Sequence, residues 1–404
     1  MSYGCLNKER RMYFKKDSAK AISDATKIIF DFDGVLVYTS QSYRQTIRKV
    51  VDYYFLEILG LEGEKGKLTT LGDIQKFKDT GLYNNDWNLS YAVITYYLAV
   101  LMRKLQQRRV LQDFTKRFSD IQFSEVRGFI RTLGEVGDFF RSYGITATEL
   151  VGIKNDSELG IESLLTQAKL ENQDFLETSF SHILPRGGSK QLTLIRKLVP
   201  YDLKKPDLLK RLFEESYLGE DLFRKFHGVP SIFKFSESFL EKEDFIPTRK
   251  TLDTLLLRFG KFAIYSEKPR DQGTYVLEKN NFKEYFDENG SIFQEDLTES
   301  EKTCGKGGES VELGKPNPTF FIKLVEKFVG KADMVAYVGD GIADALLVGN
   351  ARLEGLSNIL LFGVLCSSQN PDELFCKYIR HKADAVMTDV NDIPYLYASL
   401  GGEI

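Results

Sequence analysis

The chain lacks paired cysteines. Cys5, Cys304, Cys366 and Cys376 are scattered along 404 residues with no CxxC spacing, which argues against a disulfide framework or a clustered zinc site and fits reduced thiols in a cytoplasm. It also lacks an excess of one charge. A net charge of −3 is not the broad basic field that a nucleic-acid binder needs, so a small-molecule partner is expected. Long apolar runs are missing too. The longest, Tyr91 to Met102, contains Thr95 and is too short to cross a bilayer, and the first residues hold no apolar signal core, so neither membrane insertion nor secretion is expected. No internal repeat or low-complexity segment is evident, although Gly305 to Gly308 marks a flexible loop.

What is present is a hydrophobic fraction of 42%, enough to bury a full core in two or three domains. The basic residues Lys8, Arg10, Arg11, Lys15, Lys16 and Lys20 read as part of a solvated tail over residues 1–24, the alternative being contact with an anionic surface or a partner.

The run Ile28-Ile29-Phe30 ends in Asp31 and is followed by Gly34, the pattern of a buried strand entering a turn. The same grammar returns at Phe262 to Tyr265 before Ser266, Met334 to Val338 before Gly339-Asp340, Ile359 to Val364, and Ala385 to Met387. Helical spacing is found over Thr248 to Arg258, Pro318 to Phe328, Ile342 to Ala351 and Pro371 to Arg380, with Thr248 and Asn317 as N-caps. Strands alternating with helices predict an α/β core with a parallel sheet, whose ligands bind beyond the carboxyl ends of the strands. Asp31, Ser266 and Asp340 fall there.

Residues 41–245 depart from this grammar. Tyr43 to Leu59, Ser90 to Arg117, Phe123 to Tyr143, Ile161 to Phe180 and Lys190 to Leu222, the last broken at Pro200 and Pro206, read as long helices. The expected organisation is a tail at 1–24, an α/β core at 25–40 and 246–404, and a large, mostly α-helical domain at 41–245 inserted after the first motif-bearing strand. Aromatics such as Tyr53, Tyr54, Phe55, Tyr96 and Tyr97 either line a pocket or, more commonly at this spacing, fill a core.

The chemistry-bearing residues sit at the strand ends. In Asp31-Phe32-Asp33-Gly34, a carboxylate where a strand stops can attack phosphorus, and a second just beyond it can act as acid and then base; an Asx turn explains the same pattern without chemistry. In Gly339-Asp340-Gly341-Ile342-Ala343-Asp344 the carboxylates can join Asp31 around a hard dication such as Mg²⁺. Asp340 reads as the direct ligand; Asp344, one turn along, either binds through water or orients the site. Ser266 offers a hydroxyl, and Lys315 in Gly314-Lys315-Pro316 a compact ammonium, to phosphate oxygens.

Taken in order, DFDGVL, a strand ending in Ser, GKP and VGDGIAD resemble the four motifs of the haloacid dehalogenase-like superfamily, over residues 27–40 and roughly 246–400. The resemblance implies a Rossmann-like core with a cap domain placed as in the phosphoglycolate phosphatase-like branch, though about 200 residues make this cap unusually large. It makes Asp31 the nucleophile, Asp33 the general acid/base, Ser266 and Lys315 the phosphate holders, and Asp340 the Mg²⁺ ligand supported by Asp344, with the Asp33 backbone carbonyl also on the ion. The presence of Asp33 argues against dehalogenation. One departure is Ser266-Glu267-Lys268-Pro269-Arg270, where relatives often have Gly or Asn after the hydroxyl residue; Glu267 is expected to bring negative charge near the phosphate, with Lys268 or Arg270 offsetting it.

Within the cap, Lys78 to Asn88 looks like a loop of a little-characterised subgroup of these hydrolases, as does Glu215 to Gly219. Lys78, Asn85, Asp86 and Trp87 are the candidate substrate-binding residues, the alternative being a helix start with Trp87 packed as a plug. The expected activity is Mg²⁺-dependent hydrolysis of a small phosphorylated metabolite through an aspartyl-phosphate. A phosphomutase or phosphotransferase using the same groups, or a silent binding protein on this fold, are the alternatives.

Overall fold

The computed structural model describes residues 2–39, 41–78, 80, 86–171, 183–184, 188–200, 207–304, 313–328 and 333–401. The chain divides into two units, Met1–Ser40 with Lys242–Ile404, and Gln41–Glu241. Among the described residues the first unit holds nine strands: β1 (Tyr3–Asn7), β2 (Met12–Lys15), β3 (Ala25–Phe30), β4 (Val37–Tyr38), β5 (Asp244–Phe245), β6 (Ala263–Ile264), β7 (Met334–Gly339), β8 (Ile359–Val364) and β9 (Ala385–Met387).

Seven strands form one sheet in the order β1-β2-β9-β8-β7-β3-β6. The five from β9 to β6 are mutually parallel. Parallel strands covered on both faces need apolar residues on both, and all six residues of β8 are buried, as are the last five of β7 and the last three of β3. The helices come from the periodic segments, as at Arg249–Phe259, where the Thr248 side chain accepts the Thr251 amide hydrogen. Strand β3 has β6 on one side and β7 on the other, so the connections leaving β3 and β7 diverge at their carboxyl ends. Such a switch point leaves room for a ligand.

The N-terminal residues correct the expectation of a tail. β1 and β2 form an antiparallel hairpin, and β2 pairs antiparallel with β9 through Tyr13 with Val386 and Phe14 with Ala385. Met12 is buried, the Tyr3 hydroxyl donates to the Ala383 carbonyl at 2.7 Å, and Arg10 pairs with Asp392 at 2.5 Å. Lys8, Arg10 and Arg11 lie in the turn between two short strands, and Lys15 in the second of them, and these strands cover an otherwise open sheet edge.

The second unit is helical. Tyr43–Asp52 runs into a π-helical segment, Tyr53–Ile58, and Asp86–Gln107, Leu111–Phe118, Val126–Ser142 and Leu208–His227 follow. The single long helix expected over Ser90 to Arg117 is divided where Arg109 takes a left-handed conformation, φ 63°. The last helix is kinked at Gly219, φ 69° and ψ 172°. The parts of the expected helices at 172–180 and 201–206 lie outside the described residues. Tyr54, Phe55, Tyr96 and Tyr97 are buried, and the hydroxyls of Tyr54 and Tyr96 donate to the carbonyls of Leu198 and Leu159 at 2.9 and 3.0 Å. These aromatics are core. No helix among the described residues is long and apolar enough to cross a membrane.

Candidate active site

The site is assembled at the carboxyl ends of β6, β3 and β7. Asp31 follows β3 and is buried; its backbone amide donates to the Val338 carbonyl of β7 at 2.9 Å, and its Oδ1 accepts from the Phe32 amide at 2.8 Å. The Tyr265 amide donates to the Phe30 carbonyl at 2.9 Å, which sets Ser266 beside the start of the Asp31 loop. Gly34 then makes a turn with φ 79°. A Cβ there would lie 1.8 Å from Asp340 Oδ2. Only glycine therefore allows the first loop to approach the third carboxylate.

Asp31, Asp340 and Asp344 each present an oxygen such that the three lie within 4.8 Å of one another. One ammonium enters the cluster. Lys315 Nζ is 2.8 Å from both Asp31 and Asp344 and stands 5.9 and 5.7 Å from the ring centres of Tyr265 and Tyr337. Burial alone would push the Lys315 ammonium down, but the two carboxylates outweigh it and hold its pKa above the ordinary range. Burial pushes the Asp31 carboxyl well above the usual value; Lys315 opposes this, whereas Asp344 and Asp340 add to it. Among the described residues, three carboxylates against one ammonium leave an excess of negative charge in a low-dielectric corner. An all-oxygen donor set with that excess fits a hard dication.

Asp344 has little freedom to move. Its Oδ1 accepts from the Tyr337 hydroxyl at 2.7 Å, and its Oδ2 from the amides of Asp340 and Gly341 at 3.1 and 3.0 Å. With Lys315 as well, the carboxylate is committed to shaping the Asp340 loop, so of the two roles open from sequence the geometry favours orientation.

The second-motif departure is resolved differently from the expectation. Glu267 Oε1 accepts the Lys315 backbone amide at 2.5 Å, and a Cβ on Gly314 would come within 2.6 Å of the same oxygen. Glu267 thus braces the lysine loop. Neither basic neighbour pairs with it: Lys268 Nζ lies 3.0 Å from Asp33 Oδ1 and 3.0 Å from Glu243 Oε1, and Arg270 pairs with Asp296 at 2.5 Å. The Ser266 hydroxyl accepts the Lys268 amide at 3.1 Å. Glu243 was not foreseen: it lies in the charged string Glu241-Lys242-Glu243-Asp244, where no local pattern marks a buried residue. Tyr337 and Tyr265 were read only as strand residues for a similar reason.

In the helical unit, Lys78 and Asp86 form an ion pair at 2.8 Å, and Trp87 meets Phe213 edge-on with ring centres 6.3 Å apart. Asn85 lies outside the described residues. Glu215, on the helix Leu208–His227, is fully buried; it accepts from Ser231 Oγ at 2.6 Å, from the amides of Ile232 and Phe233 at 2.8 and 2.7 Å, and from Arg211. It organises the following loop.

Comparison with known proteins agrees with this arrangement at the level of family and fold. The profile of the haloacid dehalogenase-like hydrolases matches residues 27–351. No curated protein matches the sequence. A crystal structure from the Northeast Structural Genomics Consortium is similar at 18% identity with a TM-score of 0.62, covering 93% of this chain and 99% of the other. A predicted phosphoglycolate phosphatase from Haemophilus somnus (12% identity, TM-score 0.40, covering 92% of this chain and 98% of the other) and a candidate beta-phosphoglucomutase from Thermotoga maritima (15%, 0.35, again 92% and 98%) are more distant. With the profile spanning most of the sequence and the motif residues gathered at the switch point of a parallel sheet, the chain belongs to the haloacid dehalogenase-like hydrolase family.

Proposed function

We propose that this hydrolase is a magnesium-dependent phosphatase of small phosphorylated metabolites, acting through an aspartyl-phosphate on Asp31. The observation that carries the reading is the cluster of Asp31, Asp340 and Asp344, with Lys315 beside Asp31 and Asp344, and a second carboxylate, Asp33, two residues beyond the first. Asp31 and Asp340, with the Asp33 backbone carbonyl, would hold the ion, and Asp344 would orient them. Bound magnesium supplies charge neutralisation between the carboxylate nucleophile and the phosphoryl dianion.

In this reading an Asp31 oxygen attacks phosphorus and the bond to the leaving oxygen breaks, while Asp33 gives that oxygen its proton. Asp33 then takes a proton from water as the water attacks the aspartyl-phosphate, which releases phosphate and restores Asp31. Lys315 and Ser266 hold the phosphoryl oxygens. A screen of phosphorylated metabolites, assayed for inorganic phosphate with magnesium and with excess chelator, is expected to show release only with the metal. Undiminished activity after verified metal removal overturns the reading.

Phosphate and metal are common to every candidate substrate, so discrimination is assigned to groups that touch the rest of the molecule. Lys78, Asn85, Asp86 and Trp87 are the proposed set, combining charge, an amide and an aromatic face. Replacing Asp86 or Trp87 by Ala is expected to reorder the substrates while a small generic phosphoester is hydrolysed almost as before. An unchanged ranking sinks this assignment.

A further inference from the structure

Lys268 has no exposed side-chain surface, nor has Glu243, whereas Asp33 keeps 30% of its side chain exposed. The ammonium lies 3.0 Å from both carboxylate oxygens of Glu243, 3.0 Å from Asp33 Oδ1 and 5.4 Å from the centre of the Phe32 ring. Its backbone is pinned on both sides: the Lys268 amide donates to Ser266 Oγ at 3.1 Å, and its carbonyl accepts from Gln294 N at 3.2 Å. Glu243 is equally fixed. It immediately precedes β5, which pairs antiparallel with β4, and the Ile246 amide donates to the Leu36 carbonyl at 2.8 Å. The segment carrying Glu243 is therefore tied to the residues that follow Asp33 in the chain.

Burying an ammonium and a carboxylate together gains little over packing two apolar side chains, because desolvation offsets the attraction. Stability alone gives this pair little reason to exist. Its third partner supplies one. A group that must donate a proton to a leaving oxygen works only within a narrow range of position, and a carboxylate on a short side chain otherwise turns freely about its last bond. An ammonium fixed by Glu243 holds one oxygen of Asp33 and leaves the group open to solvent. Phosphate binding is a poorer account of Lys268, since its charge is directed into the protein between two carboxylates.

We propose that Lys268, anchored by Glu243, is the positioning residue for the acid/base carboxylate Asp33. The proposal rests on the phosphatase reading for the role of Asp33. Its test uses the magnesium-loaded full chain and two esters, phenyl phosphate, whose leaving oxygen needs a proton, and dinitrophenyl phosphate, whose leaving oxygen does not. In Lys268→Met, kcat/KM for phenyl phosphate should fall by about 10²-fold, the usual penalty of a misplaced group, while kcat/KM for dinitrophenyl phosphate stays nearly constant. Because the single variant strands a buried Glu243 charge, the double variant Lys268→Met with Glu243→Gln is measured beside it and should show the same split. Equal losses with both esters, or no loss, overturn the proposal. Crystals of the double variant give a second readout: Asp33 should leave its present orientation, and an unmoved carboxylate counts against the assignment. If the unaltered protein releases phosphate from neither ester, the orientation of Asp33 in those crystals alone decides whether Lys268 positions it; the phosphatase reading itself fails only when no metabolite of the screen releases phosphate either.

Discussion

Both units bury charges, but they settle them differently. In the helical unit the Lys154–Asp73 pair, at 2.9 Å, is completed by the Lys67 carbonyl and the Thr70 amide, and Glu215 is completed by Arg211 and a loop backbone. Both of these charge sets join opposite charges and fix a turn. In the α/β unit Asp31, Asp340 and Asp344 bring their oxygens together, and among the described residues the Lys315 ammonium pairs with Asp31 and Asp344. The difference separates charge buried for architecture from charge left over for chemistry. An excess of carboxylate is costly to bury unless something positive joins it.

Breaking the unbalanced cluster should have the largest effect. Asp31→Asn removes the proposed nucleophile and should lower phosphate release by more than about 10⁴-fold, with no labelled phosphoprotein trapped after acid quench. Release at the native rate would show that the excess charge serves something else. The two remaining carboxylates should then part company. Asp344→Asn should raise the magnesium concentration for half-maximal rate by about tenfold, as expected for a group that orients a ligand, and Asp340→Asn should raise it further. Equal shifts would erase the distinction drawn from the hydrogen bonds of Asp344.

The balanced charges should respond through stability. Glu215→Ala leaves Arg211 and the 231–233 loop without their acceptor and should cost about 3 kcal/mol in denaturant unfolding. Hydrolysis of a generic phosphoester by the still-folded protein should be nearly unaffected, and a large loss of rate would blur the comparison. The smallest effect concerns Cys366. Burial pushes its thiol up to about 12, so it stays protonated at any ordinary pH, and its Sγ lies 3.9 Å from the Gly34 carbonyl. Alkylation at mildly alkaline pH, mapped by mass spectrometry, should label the exposed Cys5 and Cys376 well before Cys366. Early labelling of Cys366 would show that the Gly34 loop opens.

The sequence by itself determined the parallel core. Strands β3, β6, β7, β8 and β9 and the helices Arg249–Phe259, Thr319–Phe328, Ile342–Leu353 and Pro371–Arg380 are written in local periodicity and caps, because burial on one or both faces acts on neighbouring residues at fixed spacing. Asp31, Ser266 and Asp340 stood out for the same reason, each placed at or just past the end of an apolar run. Only the tertiary structure decided which charges meet. Asp33 and Lys268 are 235 residues apart, and nothing near Glu243 in the chain signals that its carboxylate is buried. Glu267 turned to the Lys315 amide, and the N-terminal residues rich in lysine and arginine became an edge hairpin on β9. Pairings of this kind depend on the path of the chain, and a charged side chain has no periodic signature until a partner arrives from elsewhere in the fold.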